Sequence, residues 1–325
     1  MKERLLQYLC CSSCRGDLVL NEPRWEQGEI WEGQLQCTKC ASTYPVKDGI
    51  PRFIPKELDE TVELNVKNFG DQWHLMKDRS EINRAEFLSY LEDLSPDFFK
   101  DKVILDGGCG MGKFLYYSGK WGAKDVIGID LSHAVEVAFR WTREMPNVHV
   151  VQADIYNLPL RKSFDFIYSI GVLHHLPNPE GGFRKLVPLL RRGGKILAWV
   201  YGYEGNELYI KFADPLRRFT CRLPLAVNKI GAQALAGILW GLIYAVYLPC
   251  DRIGFRRLPL NDYFLYFRKL GFRIFWGTVL DKMTPSISHY YRRDEFEKWF
   301  TEMNLKNSSI RPRNGNSWRG EAVTS

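Results

Sequence analysis

Two cysteine pairs, Cys11-Ser12-Ser13-Cys14 and Cys37-Thr38-Lys39-Cys40, are separated by 22 residues. A Cys-x-x-Cys spacing turns two thiolates onto one ion, and two such knuckles make the closed tetrahedral four-sulfur site that holds structural Zn²⁺. Cys10 competes with Cys11 for one position, but only Cys11 gives the two-residue spacing. A second chemical cluster begins in "VILDGGCGMGKF", where Asp106 precedes Gly107-Gly108-Cys109-Gly110-Met111-Gly112. An acid at that point repels a pyrophosphate, and the third glycine of the dinucleotide fingerprint is missing, so the turn suits a cationic ligand. Asp130 in "VIGIDLS" and Asp154 in "VVQADIYNLP" follow two further apolar runs. There a carboxylate can accept ribose hydroxyls or an adenine amino group. Singly, each acid reads as a helix N-cap or turn residue. Three acids after three successive apolar runs read as one ligand site.

Such a site needs a scaffold that brings the run ends together. Residues 103–105, 126–129, 149–152, 164–169 and 195–200 are short apolar runs with helical periodicity between them. That alternation predicts an α/β, Rossmann-like, doubly wound parallel sheet with its ligand at the carboxyl ends of the strands. Near the end of the chain, an amphipathic helix is expected from about Asp294, with Phe296, Trp299, Phe300 and Met303 as its apolar face. Segments 306–310 and 317–323 then read as an antiparallel hairpin, giving a mainly parallel sheet of seven strands. Before the sheet, Tyr44-Pro45-Val46-Lys47-Asp48-Gly49-Ile50-Pro51 is a strand-turn-strand signal. A segment of about 55 residues gains little from core burial alone, and metal binding supplies folding free energy.

Together with "LCCSSCRGDL", that strand-turn-strand stretch resembles the zinc-ribbon activator subunit of tRNA and translation-factor methyltransferases over residues 5–55, with Ser12 where that family usually has proline. The three acids, followed by "FDFIYSIGVLHHLPNPEGGFRKLVPLLRRGGKILAWVY", resemble the class I S-adenosylmethionine-dependent methyltransferases over residues 100–201. That resemblance implies S-adenosylmethionine as cofactor. Asp106, Gly108, Cys109 and Gly110 would surround its methionine portion, Asp130 and Leu131 its ribose, and Asp154 and Ile155 its adenine, with Gly171 and Val172 as the far wall. Phe69-Gly70-Asp71-Gln72-Trp73 looks like the lead-in of methyltransferases carrying such a ribbon, either a lid over the cofactor or an aromatic helix packed on the sheet.

The expected organisation is a zinc ribbon over 1–56, a helical lead-in over 57–99, a methyltransferase domain over 100–203 and 278–325, and a helical insertion after strand five over 204–277. The insertion holds "IGAQALAGILWGLIYAVYLPC", residues 230–250, without a charge and with basic residues on both sides. A helix over about 234–247 is expected to cover the active site or contact a membrane, with Arg217, Arg218, Arg256 and Arg257 meeting anionic head groups. Its length also permits a span, although charge on both sides argues against one.

At 45% apolar and 26% charged residues the chain is a globular protein with a full core. Its +7 charge is uneven: residues 201–325 hold 19 Lys/Arg against 11 Asp/Glu, and residues 1–200 hold 26 against 27. A basic surplus favours a phospholipid surface or RNA as partner, or is a solvated face. The short apolar core after Met1-Lys2-Glu3-Arg4 gives no export signal, so a cytoplasmic location with peripheral membrane contact is expected. His174, His175 and His289 are the candidate bases for a hydroxyl acceptor, and Tyr290, Tyr291, Asn316 and Trp318 the candidate substrate contacts. His289-Tyr290-Tyr291-Arg292 loosely resembles, in a different order, an element of tRNA wobble-uridine carboxyl methyltransferases. The apolar insertion makes a small or lipid-linked metabolite, such as a polyprenyl, quinone or glycan intermediate, the expected methyl acceptor. A tRNA-modifying methyltransferase is the alternative. The third reading, a zinc-ribbon partner or scaffold protein, sits poorly with intact glycine and acid positions.

Overall fold

The five apolar runs become five parallel strands in a computed structural model that describes residues 1–75 and 84–325. In chain order, β1 (Leu18–Glu26), β2 (Glu29–Cys37), β3 (Thr43–Lys47) and β4 (Ile50–Phe53) form the ribbon, and α1 (Glu60–His74) and α2 (Arg84–Leu91) the lead-in. The sheet then builds through β5 (Val103–Gly107), α3 (Lys113–Lys120), β6 (Asp125–Asp130), α4 (Val135–Thr142), β7 (Val148–Ala153), β8 (Phe164–Ile170), α5 (Pro179–Leu186) and β9 (Leu190–Tyr201). The insertion supplies α6 (Asp214–Thr220), α7 (Leu225–Leu242), α8 (Leu248–Arg252), α9 (Asn261–Leu270) and α10 (Phe272–Met283). The chain closes with α11 (Arg293–Glu302) and the hairpin β10 (Lys306–Arg313) and β11 (Ser317–Val323).

The strand order is β1-β2-β3-β4-β7-β6-β5-β8-β9-β11-β10, and β11 runs antiparallel to both β9 and β10. The last seven are the expected sheet, with the order reversing between β5 and β8, the switch point at which such sheets bind ligands. The count is eleven rather than seven because β4 pairs in parallel with β7, Arg52 opposite Gln152 and Phe53 opposite Ala153. An open β7 edge would leave a row of backbone groups unpaired, and the ribbon covers it. The joint is also packed: Leu5, Tyr8, Leu9 and Phe53 share a core with Val151, Ala153 and Leu160. Beneath it, buried Asp125 accepts from the Tyr8 hydroxyl at 2.6 Å and pairs with Arg4 at 2.7 Å.

The insertion has a core of its own. Ala232, Ala236, Ile243 and Tyr247 face Phe264, Phe275, Val279 and Leu280. The expected helix over 234–247 is part of a longer one: α7 passes through a wider π turn at Ile243–Tyr247 into α8. Leu225–Arg252 is long and apolar enough to cross a membrane, yet only 22% of its most apolar stretch is buried. The insertion boundary expected at residues 277 and 278 falls inside α10.

Candidate functional site

The four knuckle sulfurs converge. The ligand atoms of Cys11, Cys14, Cys37 and Cys40 all lie within 4.8 Å of one another, with Cys11 to Cys40 at 3.5 Å and Cys14 to Cys37 at 3.4 Å. Zn–S bonds of about 2.3 Å place tetrahedral sulfurs about 3.8 Å apart, so the set fits zinc. The backbone N–H groups of Lys39 and Cys40 donate to the Cys37 sulfur at 3.4 and 3.5 Å, and the Tyr44 hydroxyl lies 3.1 Å from that of Cys11. Cys10 is buried outside the cluster, and its N–H donates to the Pro159 carbonyl.

A cavity of about 870 Å³ opens at the carboxyl ends of β5 to β9. Nine of the ten residues expected to hold the cofactor line it: Gly108, Cys109, Gly110, Asp130, Leu131, Asp154, Ile155, Gly171 and Val172. Asp106 lies behind them, buried, with its Oδ2 unpartnered. Burial pushes the Asp106 carboxyl well above the usual carboxylate range, and the Asp130 charge adds to this. A cationic or N–H-rich ligand group beside the turn would answer that unmet acceptor. The turn itself is cut for close approach. Gly108 has φ +94°, and a Cβ there would sit 2.4 Å from the Val172 methyls. Asp130 ties the turn to β6, its Oδ2 accepting from the Gly110 N–H at 2.9 Å and its Oδ1 from the Ser132 N–H and hydroxyl. Asp154 caps the turn Ile155–Asn157 by accepting from the Tyr156 N–H at 3.0 Å, so its capping and lining roles coexist. The residues therefore fit the cofactor that the sequence implies.

The lead-in lies against this crevice. Phe69 and Trp73 of α1 line it, and a Cβ on Gly110 would meet the Trp73 indole nitrogen at 3.3 Å. Gln72 donates to Asp281 Oδ1 at 3.1 Å and accepts from the Thr284 hydroxyl at 2.6 Å, tying α1 to α10.

Beyond the crevice the same cavity becomes aromatic and cationic. Tyr90, Trp199, Tyr201, Tyr263, Tyr266 and Phe267 form its walls, with Arg273, Lys282 and Arg313 among them. The Arg313 guanidinium lies 3.8 Å from the Tyr90 ring centroid and donates to the Ser89 hydroxyl at 2.7 Å and the Tyr266 hydroxyl at 3.1 Å. Lys282 places its ammonium 4.1 Å from the Tyr201 ring centroid. Burial pushes the Lys282 ammonium down to about 8, against the opposing pull of Asp281 and Asp214. Sequence reasoning missed all of these residues. Only Tyr201 carried a signal, standing at the carboxyl end of the fifth parallel strand.

Other expected residues sit elsewhere. His175 lines the cavity, and its Nδ1 lies 2.7 Å from the Ile287 carbonyl oxygen, so that nitrogen carries the proton and Nε2 is the acceptor. Burial pushes the His175 imidazole down to about 3, which keeps it neutral. His174 is fully buried, 3.8 Å from Tyr201 between ring centroids, and does not line the cavity. His289, Tyr290, Tyr291 and Trp318 also lie outside its walls. The His289 N–H donates to the His174 carbonyl, Tyr290 stacks on Tyr201, Tyr291 packs on Trp299, and the Trp318 indole donates to Glu204. Of the four expected substrate contacts only Asn316 reaches the cavity. Arg217, expected at the surface, is buried and bonded to Asp214 at 2.8 Å and the Pro285 carbonyl at 2.6 Å. No residue of 225–252 lines the cavity, so α7 backs α10 rather than covering the site.

Comparison with known proteins agrees with both halves. Residues 105–198 match the family described as a methyltransferase domain, and residues 2–49 match the Trm112p-like protein family. A tRNA U34 carboxymethyltransferase of Pseudoalteromonas translucida is 33% identical over 132 residues, 40% of this chain and 39% of the relative. One of Cellvibrio japonicus is 34% identical over 209 residues, 58% of this chain and 63% of the relative. The chain thus spans about two fifths of the length of the first relative and less than two thirds of the second. Among solved structures, an S-adenosylmethionine-dependent methyltransferase of Mesorhizobium loti is 28% identical, covering 37% of this chain and 54% of that one at a TM-score of 0.33. One of Aquifex aeolicus is 15% identical, covering 77% and 100% at 0.42. The lipid-linked or glycan acceptor expected from the apolar insertion is overturned by the tRNA-modifying relatives and the Trm112p-like match. The physical reason is position: the apolar run that prompted it stands outside the cavity.

Proposed function

We propose that this chain, which joins a class I S-adenosylmethionine-dependent methyltransferase domain to a Trm112p-like zinc-ribbon domain, modifies tRNA by methyl transfer to a nucleoside held in the aromatic, cationic end of its cavity. One observation carries the reading: Arg313 over Tyr90 and Lys282 over Tyr201 stand in the cavity that the glycine turn opens into. Enzymes that act on a base take it out of the stack into a pocket, and splayed bases stack on aromatic rings and guanidinium planes. Cations at the same place meet the phosphates that flank such a base. The tRNA relatives support the same acceptor.

Bound S-adenosylmethionine supplies a methyl group already activated on a sulfonium. The chain's own contribution is alignment. Asp130, Asp154 and the turn around Gly108 hold one reactant, the aromatic walls hold the other, and α1 helps exclude water. Such positioning contributes on the order of 7–11 kcal/mol. His175, neutral and proton-bearing on Nδ1, offers Nε2 as a hydrogen-bond acceptor that orients the acceptor group without taking its proton at neutral pH.

The test is to incubate the full chain with methyl-labelled S-adenosylmethionine and cellular tRNA, then digest the tRNA to nucleosides. Label in one modified nucleoside is the expected result, and position 34, the site for which the relatives are named, is the first to examine. Label absent from tRNA and present in lipid, protein or metabolite fractions would overturn the reading.

A further inference from the structure

The insertion turns a run of large apolar side chains outward. Leu208, Phe212, Leu216, Phe219 and Leu223 recur every three or four residues through the turn Tyr209–Ala213 and α6, and all are exposed, Phe219 at 70%. On α7, Val227, Ile230 and Ile238 lie on the face opposite Ala232, Ala236 and Ile243, with Ile230 72% and Ile238 71% exposed. Ile253 and Phe255 follow α8, Ile253 at 81%. A soluble monomer has little reason to leave so many large apolar side chains in water unless they meet a partner.

The charges between these residues have one sign. Lys211, Arg218, Arg222 and Lys229 are exposed around α6 and the start of α7, and Arg252, Arg256 and Arg257 around the end of α8. Glu207 is the one exposed acid among residues 205–257; Asp214 is buried against Arg217, and Asp251 is partly covered and paired with Arg256. Phosphates of an RNA would answer the guanidinium groups and leave Phe219, Ile230 and Ile238 in water. A bilayer interface answers both: the apolar side chains reach the acyl boundary while the cations stay among anionic head groups. A spanning arrangement would carry α10 into the membrane with α7, since Ala232 and Ala236 share a core with Phe275 and Val279, and α10 bears Arg273, Asp281 and Lys282.

We infer that the outer face of α6, α7 and the end of α8 is a monotopic docking surface for an anionic lipid bilayer. The bilayer is a docking partner and not the methyl acceptor, and its binding is measured without any methyl transfer, so this inference and the tRNA assignment fail separately.

Sedimentation of the full chain with phosphatidylcholine vesicles containing about one-third phosphatidylglycerol, and with pure phosphatidylcholine vesicles, tests it. Binding to the anionic vesicles is expected, weaker on the neutral ones, weakened by salt and released by carbonate. Phe219→Ser with Ile238→Ser should lower partitioning roughly tenfold, since interfacial binding scales with buried apolar area. Arg218→Glu with Arg257→Glu should abolish the preference for anionic vesicles. Both variants alter exposed residues that do not line the cavity, and unchanged S-adenosylmethionine binding serves as the folding control. Absence of vesicle binding, equal binding by the serine variant or carbonate-resistant retention overturns the inference. So does tRNA binding that the arginine variant loses while vesicle binding stays intact.

Discussion

At the end of the cavity proposed to hold the cofactor, the nine lining residues expected from the sequence sit at strand tips or in the turns after them, and backbone pairing among β5, β6, β7 and β8 sets their positions. At the acceptor end the walls come from α2, β9, α9, α10 and the turn between β10 and β11, held by side-chain bonds such as Arg313 to Ser89 and Tyr266. Each end also leans on a different addition to the sheet. The ribbon covers the β7 edge beside the cofactor end, and the insertion builds the acceptor end. The two should therefore break independently, one through backbone geometry and metal, the other through side-chain chemistry.

The largest effect is expected from removing the metal. Structural zinc contributes apparent binding free energies of about 10–16 kcal/mol in small domains, so Cys37→Ser or chelation should unfold residues 1–53. Because β4 pairs with β7, the melting temperature of the remaining domain should fall as well. Metal analysis together with a thermal melt checks this, and a chelated chain that keeps the parent melting curve would break the link between ribbon and sheet. Cys10→Ser should leave zinc content unchanged, since that thiol lies outside the cluster.

Next comes the turn. Gly108→Val combines a positive φ with a Cβ 2.4 Å from the Val172 methyls. Strain and overpacking of that kind cost on the order of 2–6 kcal/mol, enough to remove measurable cofactor binding by calorimetry. Affinity within threefold of the parent would show that the turn does not hold the cofactor.

The same contrast explains what could be read in advance. The glycine turn, Asp130 and Asp154 announce themselves because a strand tip is fixed by a few consecutive residues, and parallel pairing then brings the tips together. The cysteine knuckles are legible for the same local reason. Lys282, Arg313, Tyr90 and Tyr266 are far apart in sequence and meet only after α9, α10 and the final hairpin have docked, so no spacing marks them. The histidines show the reverse error. His174 and His175 sit beside the strand tip as expected, but the turn Leu173–His175 points one into the core and the other into the cavity, a choice of rotamer and turn that the residue types do not encode. The pairing of ribbon and sheet was likewise invisible, because Arg52 and Phe53 carry nothing that names Gln152 and Ala153 as neighbours.

A smaller effect sharpens the division at the acceptor end. Arg313→Ala removes the guanidinium that stacks on Tyr90 and bonds Ser89 and Tyr266. Charge-assisted contacts of that kind are worth about 1–3 kcal/mol, so the KM for tRNA, the proposed acceptor, should rise about tenfold or more. Cofactor affinity, measured separately, should stay within about twofold of the parent because the bonding partners of Arg313, Ser89 and Tyr266, stand on α2 and α9 and not in the glycine turn. A parallel loss of cofactor affinity would mean that the cavity behaves as one unit.

The smallest effect is a pH dependence with opposite signs in two measurements. Burial lowers the Lys282 ammonium from 10.5 to about 8, so it is charged below that pH and largely neutral above it. If its charge meets a phosphate, the KM for tRNA should climb as pH passes upward through about 8, and Lys282→Arg should move that rise to higher pH. Stability should run the other way. In the unfolded chain the same lysine keeps its proton up to 10.5, so between about 8 and 10.5 the unfolded state binds more protons than the folded one. The folded state carries its full penalty for a buried charge below about 8 and sheds it as pH rises, a gain on the order of 1 kcal/mol because water reaches the cavity. Denaturant melts and initial rates across the same pH range read the two trends. Weaker acceptor binding in a chain that grows more resistant to denaturant is the signature of Lys282; both quantities falling together would assign the rate loss to unfolding and remove Lys282 from the acceptor end.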